Sequence, residues 1–279
     1  MKRVRGPVMD RIIFIIFLCT LAQTGQAQEN DALRQILSGE HRSEAHRARD
    51  RYRHPIQTLA FFDVQENMTV VEIWPGAAGW YTEILAPYVK EHGKLYAAHF
   101  ARDASIPFFR QSQKKFIDKI HSRPDIYGDL VVTELQPPGR LNIAPPGSAD
   151  RVLTFRNVHN WMKAGQAEMV FQAMFRALQP GGLLGVVEHR NAPGVKQDPR
   201  ALSGYVTKEY VIALARTAGF ELLGRSEINA NPADNREHPE GVWTLPPTFR
   251  LGNQDRAKYL HIGESDRMTL KFIKPPIEN

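Results

Sequence analysis

The chain has 279 residues, of which 42% are apolar and 24% charged, and a formal charge of +6. That composition is globular, with material for one sizeable core, and it argues against a disordered chain and a multi-span membrane protein. Four basic residues and one acidic residue fall within positions 1–27, so the remainder carries about +3, too mild an excess to support nucleic-acid binding.

In "MKRVRGPVMDRIIFIIFLCTLAQTGQAQEN", Lys2, Arg3, Arg5 and Arg11 are followed by the apolar run Ile12 to Leu18 and then by small and polar residues up to Ala27. This is the order of a secretory signal. Continuous apolar character ends by Thr20 and Gln23, short of the roughly 20 residues that a spanning helix needs. Cleavage after Ala27 is therefore expected: membrane contact ends with the signal, and the mature chain is periplasmic. The single cysteine, Cys19, lies in the signal, which excludes disulfides, thiolate metal sites and cysteine nucleophiles from the mature chain.

Residues 28–62 read as an N-terminal helical segment, and the run Arg47, Arg49, Arg51, Arg53 as a solvated helix face. A single domain is expected over 63–279. Its first strand is "TVVEIW" (69–74), followed by a helix over "WYTEILAPYVKEHG", the strand "KLYAAHF", the helix "SIPFFRQSQKKFIDKIHS" and the strand "GDLVVTEL". A Pro-rich loop leads to the strand "DRVLTF", the helix "AEMVFQAMFRALQPGG" and the strand "LLGVVEH". After a long loop come the helix "KEYVIALARTAGF", the strand "ELLGRSEIN", an irregular segment over 229–264 that is a candidate lid, and the last strand "DRMTLKFIK". Strands separated by helices imply an α/β fold with a mainly parallel, Rossmann-like sheet covered on both faces. Ligands bind such sheets beyond the carboxyl ends of the strands.

The loop after the first strand offers Glu72, Gly76 and Gly79, a small turn that aims helix N–H groups at an anionic group or simply connects strand to helix. The second strand ends in His99, where a ribose-binding carboxylate is usual; a hydroxyl-binding histidine and a strand-end packing histidine both remain open. The third ends in Glu134. The fourth runs into "FRNVHNWM", which concentrates Arg156, Asn157, His159, Asn160 and Trp161 at the sheet mouth, Asn160 being also a candidate helix cap. The fifth brings Glu188, His189 and Arg190. A carboxylate beside an imidazole suits general base work or an ordinary hydrogen-bonded network. The ten histidines include no H-x-x-x-H or H-E-x-x-H pair, so local metal-ligand spacing is missing and no metal is expected.

The acidic end of the first strand, the Gly-containing turn and "FRALQPGGLLGVVEH" resemble the class I S-adenosylmethionine-dependent methyltransferases. With "TFRNVHNW", "VVEHR", "HPEGVWTLPP" and "GESDRMTLKF", the chain resembles more closely a group of bacterial methyltransferases, many of which begin with export signals. The resemblance implies a seven-stranded sheet whose last strand inserts antiparallel, and S-adenosylmethionine as cofactor. It places Glu72, Gly76 and Gly79 at the cofactor's methionine portion, and Glu134, Arg156 and Asn157 at adenine and the methyl-transfer pocket. His99 joins them as a cofactor-binding candidate. The catalytic candidates are His159, Glu188 and His189; Trp161, Arg190 and His238 are candidates for holding a small-molecule acceptor. Trp74 stands where the family has its first glycine. The rival expectation is an exported, non-catalytic protein that binds a small ligand on the same scaffold.

Overall fold

The computed structural model describes residues 31–277, and the expected signal over 1–27 lies outside the described residues. Among the described residues, four short helices come first: α1 (31–38), α2 (Glu44–Arg47), α3 (Asp50–Arg53) and α4 (Pro55–Phe61). Ser43 starts α2 by accepting from the His46 N–H. His54, in the left-handed region at φ 42°, turns the chain into Pro55, and proline suits a first helical position.

The strands are β1 (Thr69–Ile73), β2 (Lys94–His99), β3 (Val131–Glu134), β4 (Ala149–Phe155), β5 (Leu178–His189), β6 (Glu221–Ser226) and β7 (Arg267–Ile273). They form one seven-stranded sheet in the order β3-β2-β1-β4-β5-β7-β6. β1 to β5 pair in parallel, and β7 runs antiparallel between β5 and β6, as expected for this fold class. The covering helices are α5 (Thr82–Val89), α6 (Pro107–Ser122), α7 (Pro124–Tyr127), α8 (Val158–Lys163), α9 (Ala167–Ala177), α10 (Lys208–Thr217) and α11 (Arg256–Ile262).

Successive strand residues supply opposite cores. Val71, Val152 and Val186 pack with Phe171 and Met174 of α9. Val70, Leu153 and Val187 pack with Ile84, Leu85 and Phe116, and also with Leu33 and Leu59 of the N-terminal helices. Burial on both faces is why the strands read as unbroken apolar runs. β1 pairs with β2 on one side and β4 on the other, so the strand order reverses there and opens a crevice at the carboxyl ends.

Two segments differ from expectation. "LQPGG" belongs to β5, because Pro180 lacks the N–H a helix needs and Gly181 turns at φ 80°. Its backbone is held by Gly181 N–H to Lys274 O and Lys274 N–H to Gly182 O, both at 2.9 Å. "VHNWMK" forms helix α8, with Asn160 inside it and Gln166 starting the next helix, so Asn160 is not a cap.

Candidate functional site

A cleft of about 420 Å³ opens over the carboxyl ends of β1, β4 and β5. On the β1 side, Gly76 sits at φ 71° and a Cβ there would meet nothing within 4 Å, so the loop presents open space. Gly79 serves packing: at φ 55°, its Cβ would approach the Phe116 ring and the Thr82 hydroxyl to 2.9 Å. Beneath the loop, Glu72 is buried and its Oε2 accepts from the Thr82 hydroxyl at 2.6 Å. Burial pushes the Glu72 carboxyl up to about 7, against the pull of Thr82 and Lys119.

On the β4 side, Arg156 takes φ 62° and its N–H bonds Val187 O at 2.7 Å. Asn157 ties the β4 loop to β1 by donating to Ile73 O at 2.9 Å. His159 then reaches Glu188, whose Oε1 lies 3.0 Å from His159 Nδ1. A carboxylate only accepts, so Nδ1 carries the proton, and Nε2 is left as the ring atom for the cleft that His159 lines. Glu188 is fully buried and fixed by the N–H groups of Val158 at 2.6 Å, His189 at 2.8 Å and His159 at 3.4 Å. The His189 ring lies 5.3 Å from that of His159, and its Nδ1 is 2.5 Å from the Ser265 hydroxyl. Burial, then His159 and the nearby Arg156, Arg267 and Arg53, push the His189 imidazole well below its ordinary value, so it is neutral. The segment after β6 forms the roof, where Trp243 meets the edge of His159 at 5.8 Å.

One potential ligand atom from each of His159, Glu188 and His189 lies within 4.8 Å of the others. This convergence is made by the first turn of α8 and the end of β5, about thirty residues apart in the chain. Both Glu188 oxygens already accept the hydrogen bonds given above, which leaves a cation little to bind there.

No family model matches the chain, and no curated protein matches it. Solved structures do. An S-adenosylmethionine-dependent methyltransferase from Aquifex aeolicus aligns at a TM-score of 0.51 and 17% identity, covering 65% of this chain and 87% of that one. One from Methanosarcina mazei aligns at 0.51 and 11%, covering 78% and 98%. The chain has the fold of the class I methyltransferases. SpnF, a (4+2)-cyclase, shares it at a TM-score of 0.55 and 15% identity, covering 86% of each chain, so the methyltransferase fold by itself does not name the reaction.

The methyltransferase fold implies S-adenosylmethionine, and the residues fit it at one end. Gly76 offers open space for the methionine portion. The adenosine end, toward β2 and β3, is filled by the chain itself: the Trp74 indole donates to Leu135 O at 2.9 Å. Its ring lies 4.6 Å from Phe100 and 5.6 Å from Trp161, while Phe109 stacks on Phe100 at 4.2 Å. Trp74 itself lines the cleft and narrows it on that side.

Seven predicted site residues do not line the cleft: Gly79 and Glu188, described above, and five more. His99 is buried, accepts from the Phe100 N–H at 2.7 Å and is pushed down to about 4 by burial, its Nε2 facing the Gly76 backbone outside good hydrogen-bond geometry. Glu134 accepts from the Arg102 N–H at 3.0 Å and pairs with Arg140, which also holds Asp103. Trp161 is core, packed edge-on against Phe171. Arg190 grips Asp266 with two bonds of 2.8 Å and pairs with Glu227. His238 bonds Asp234 at 2.8 Å and packs on Tyr259.

The arginine run was expected in solvent, and this is corrected for two of its members. Arg47 and Arg51 are exposed, but Arg53 is 1% exposed and Arg49 half-buried, and both line the cleft. Their i, i+4 spacing was the available signal, since it puts them on one helical face.

Proposed function

We propose that the chain is an exported S-adenosylmethionine-dependent methyltransferase acting on a small acceptor. The observation that carries this reading is the open, positive-φ Gly76 loop at the switch point of a methyltransferase sheet, facing the His159 and Glu188 pair. Glu72 and Gly76 would hold the cofactor's amino-acid end, and the cofactor would supply an electrophilic methyl group. His159 Nε2 would take the proton from the acceptor's nucleophile. Glu188, fixed by backbone N–H groups, would orient the ring and stabilise the imidazolium, a positioned base of a kind that contributes roughly 10²–10⁴-fold. The neutral His189 adds no competing charge.

Trp74 favours a second reading, in which the exported protein binds another small molecule in the same cleft without transferring methyl. Calorimetry on residues 28–279 with S-adenosylmethionine and S-adenosylhomocysteine separates the two. The first reading expects micromolar binding, abolished in Gly76→Val and about tenfold tighter in Trp74→Ala, which removes the occupant of the adenosine end. Folded wild type and Trp74→Ala that both fail to bind would move the assignment to the second reading.

A further inference from the structure

Four arginines surround one buried carboxylate at the edge of the cleft. Glu264 Oε1 accepts from Arg49 Nε at 2.6 Å; its Oε2 accepts from Arg53 Nε at 3.3 Å, lies 2.9 Å from an Arg267 terminal nitrogen and 3.8 Å from one of Arg156. Burial would raise the Glu264 carboxyl, but the four guanidinium groups overcome it and hold it far below the usual carboxylate range. Four positive charges against one negative leave a formal +3 among these groups.

That excess is placed where it is costly. Arg53 is 1% exposed, lines the cleft, and has no hydrogen-bond partner for either terminal nitrogen among the described residues. Its guanidinium carbon lies 4.5 Å from the centre of the Trp80 ring. Arg156, also in the lining, is pushed down to about 10 by burial. Buried positive charge that one shared carboxylate only partly neutralises is unfavourable, and a guanidinium with both terminal nitrogens unpartnered matches an oxyanion in fork geometry.

We propose that Arg53 and Arg156, backed by Arg49 and Arg267, form an anion subsite that holds a carboxylate or phosphate group of the acceptor, with the rest of the acceptor reaching toward His159. This rests on the reading of the cleft as the site of a small acceptor. The same field opposes a cationic acceptor, and opposes a metal ion at His159, Glu188 and His189.

The test is calorimetry of the mature chain with inorganic phosphate and with acetate at constant ionic strength. One of the two binds saturably, and Arg156→Met weakens it about tenfold, the loss of one charge-assisted bond. Lys114→Met, which removes an exposed cation paired with Asp118 on α6, leaves it unchanged. Arg53→Met abolishes it; if that variant does not fold, Arg156→Met decides alone. No saturable binding of either anion to folded wild type, or equal affinity in Arg156→Met, overturns the proposal. S-adenosylmethionine titrated at saturating anion separates this from the methyltransferase reading. Unchanged cofactor affinity supports an acceptor subsite, whereas competition assigns the arginines to the cofactor's own carboxylate and overturns it. Anion binding without any cofactor binding defeats methyl transfer and supports the subsite as part of the second reading.

Discussion

Glu72 is a carboxyl group placed where water cannot reach it, and this has a consequence for stability. Its ordinary value of 4.5 holds in the unfolded chain, and in the folded chain it is pushed up to about 7, chiefly because burial penalises the charged form. Below pH 4.5 both states hold the proton and there is no penalty. As pH rises from there to 7 the unfolded state releases its proton first, so stability falls; above 7 the loss is complete, at about 3 kcal/mol for a displacement of this size. Glu72→Gln keeps an acceptor for the Thr82 hydroxyl and removes the titration. The variant is expected to match wild type near pH 4.5 and to exceed it by about 3 kcal/mol at pH 8, measured by denaturant unfolding at both values. An equal gain at both would mean that the effect is packing and not charge. A destabilising carboxyl retained beside the Gly76 loop is what a binding site, rather than a stability element, would keep.

At the scale of elements, what was legible in the sequence was what is local. The strands around Val70, Val152 and Val186 show as short apolar runs bounded by turn residues, and helices α5, α6, α9 and α10 show their period directly. The start of β5 did not, because "LQPGG" is held extended by pairing with Ala149 and by bonding to Lys274, about ninety residues away in the chain. Arg53 did not either, because its burial depends on Glu264, 211 residues on. His159 and Glu188 were legible as strand-end neighbours, whereas the inward turn of Trp74 onto Leu135 O is a tertiary choice that a missing glycine only hinted at. The roof is similarly non-local. Gly241 opens the 3-10 turn Gly241–Thr244 at φ 56°, and a Cβ there would lie 2.1 Å from Ser203 O, while Val242 N–H donates to that same oxygen at 2.9 Å. Gly241→Ala must displace backbone as well as strain φ, so a loss of about 3 kcal/mol is expected, seen as a Tm lower by about 6 °C or more with a red shift in tryptophan emission as Trp243 leaves His159. A Tm within about 2 °C of wild type would show that the roof does not depend on this contact.

At the scale of the whole molecule, the N-terminal helices belong to the fold and are not a mere spacer. Leu33 and Leu59 enter a core, and Arg53 enters the cleft. A cut after Ala27 leaves three residues ahead of α1, so the exported form proposed above keeps every described helix. Expressed with its own N-terminus in a Gram-negative host, the protein is expected in the periplasmic fraction with Gln28 as its first residue by mass spectrometry, and with the Tm of a chain started at Gln28. A chain started at Pro55 is expected not to fold, having lost Arg53 and Leu33 together. The compartment also weighs on the chemistry. S-adenosylmethionine is made in the cytoplasm, so a periplasmic protein recovered without adenine absorbance, with Trp74 still closing the adenosine end, would favour the second reading. An uncut precursor retained in the cytoplasm would place the Gly76 loop beside the cofactor supply, and the argument for methyl transfer would then turn on whether Trp74 moves.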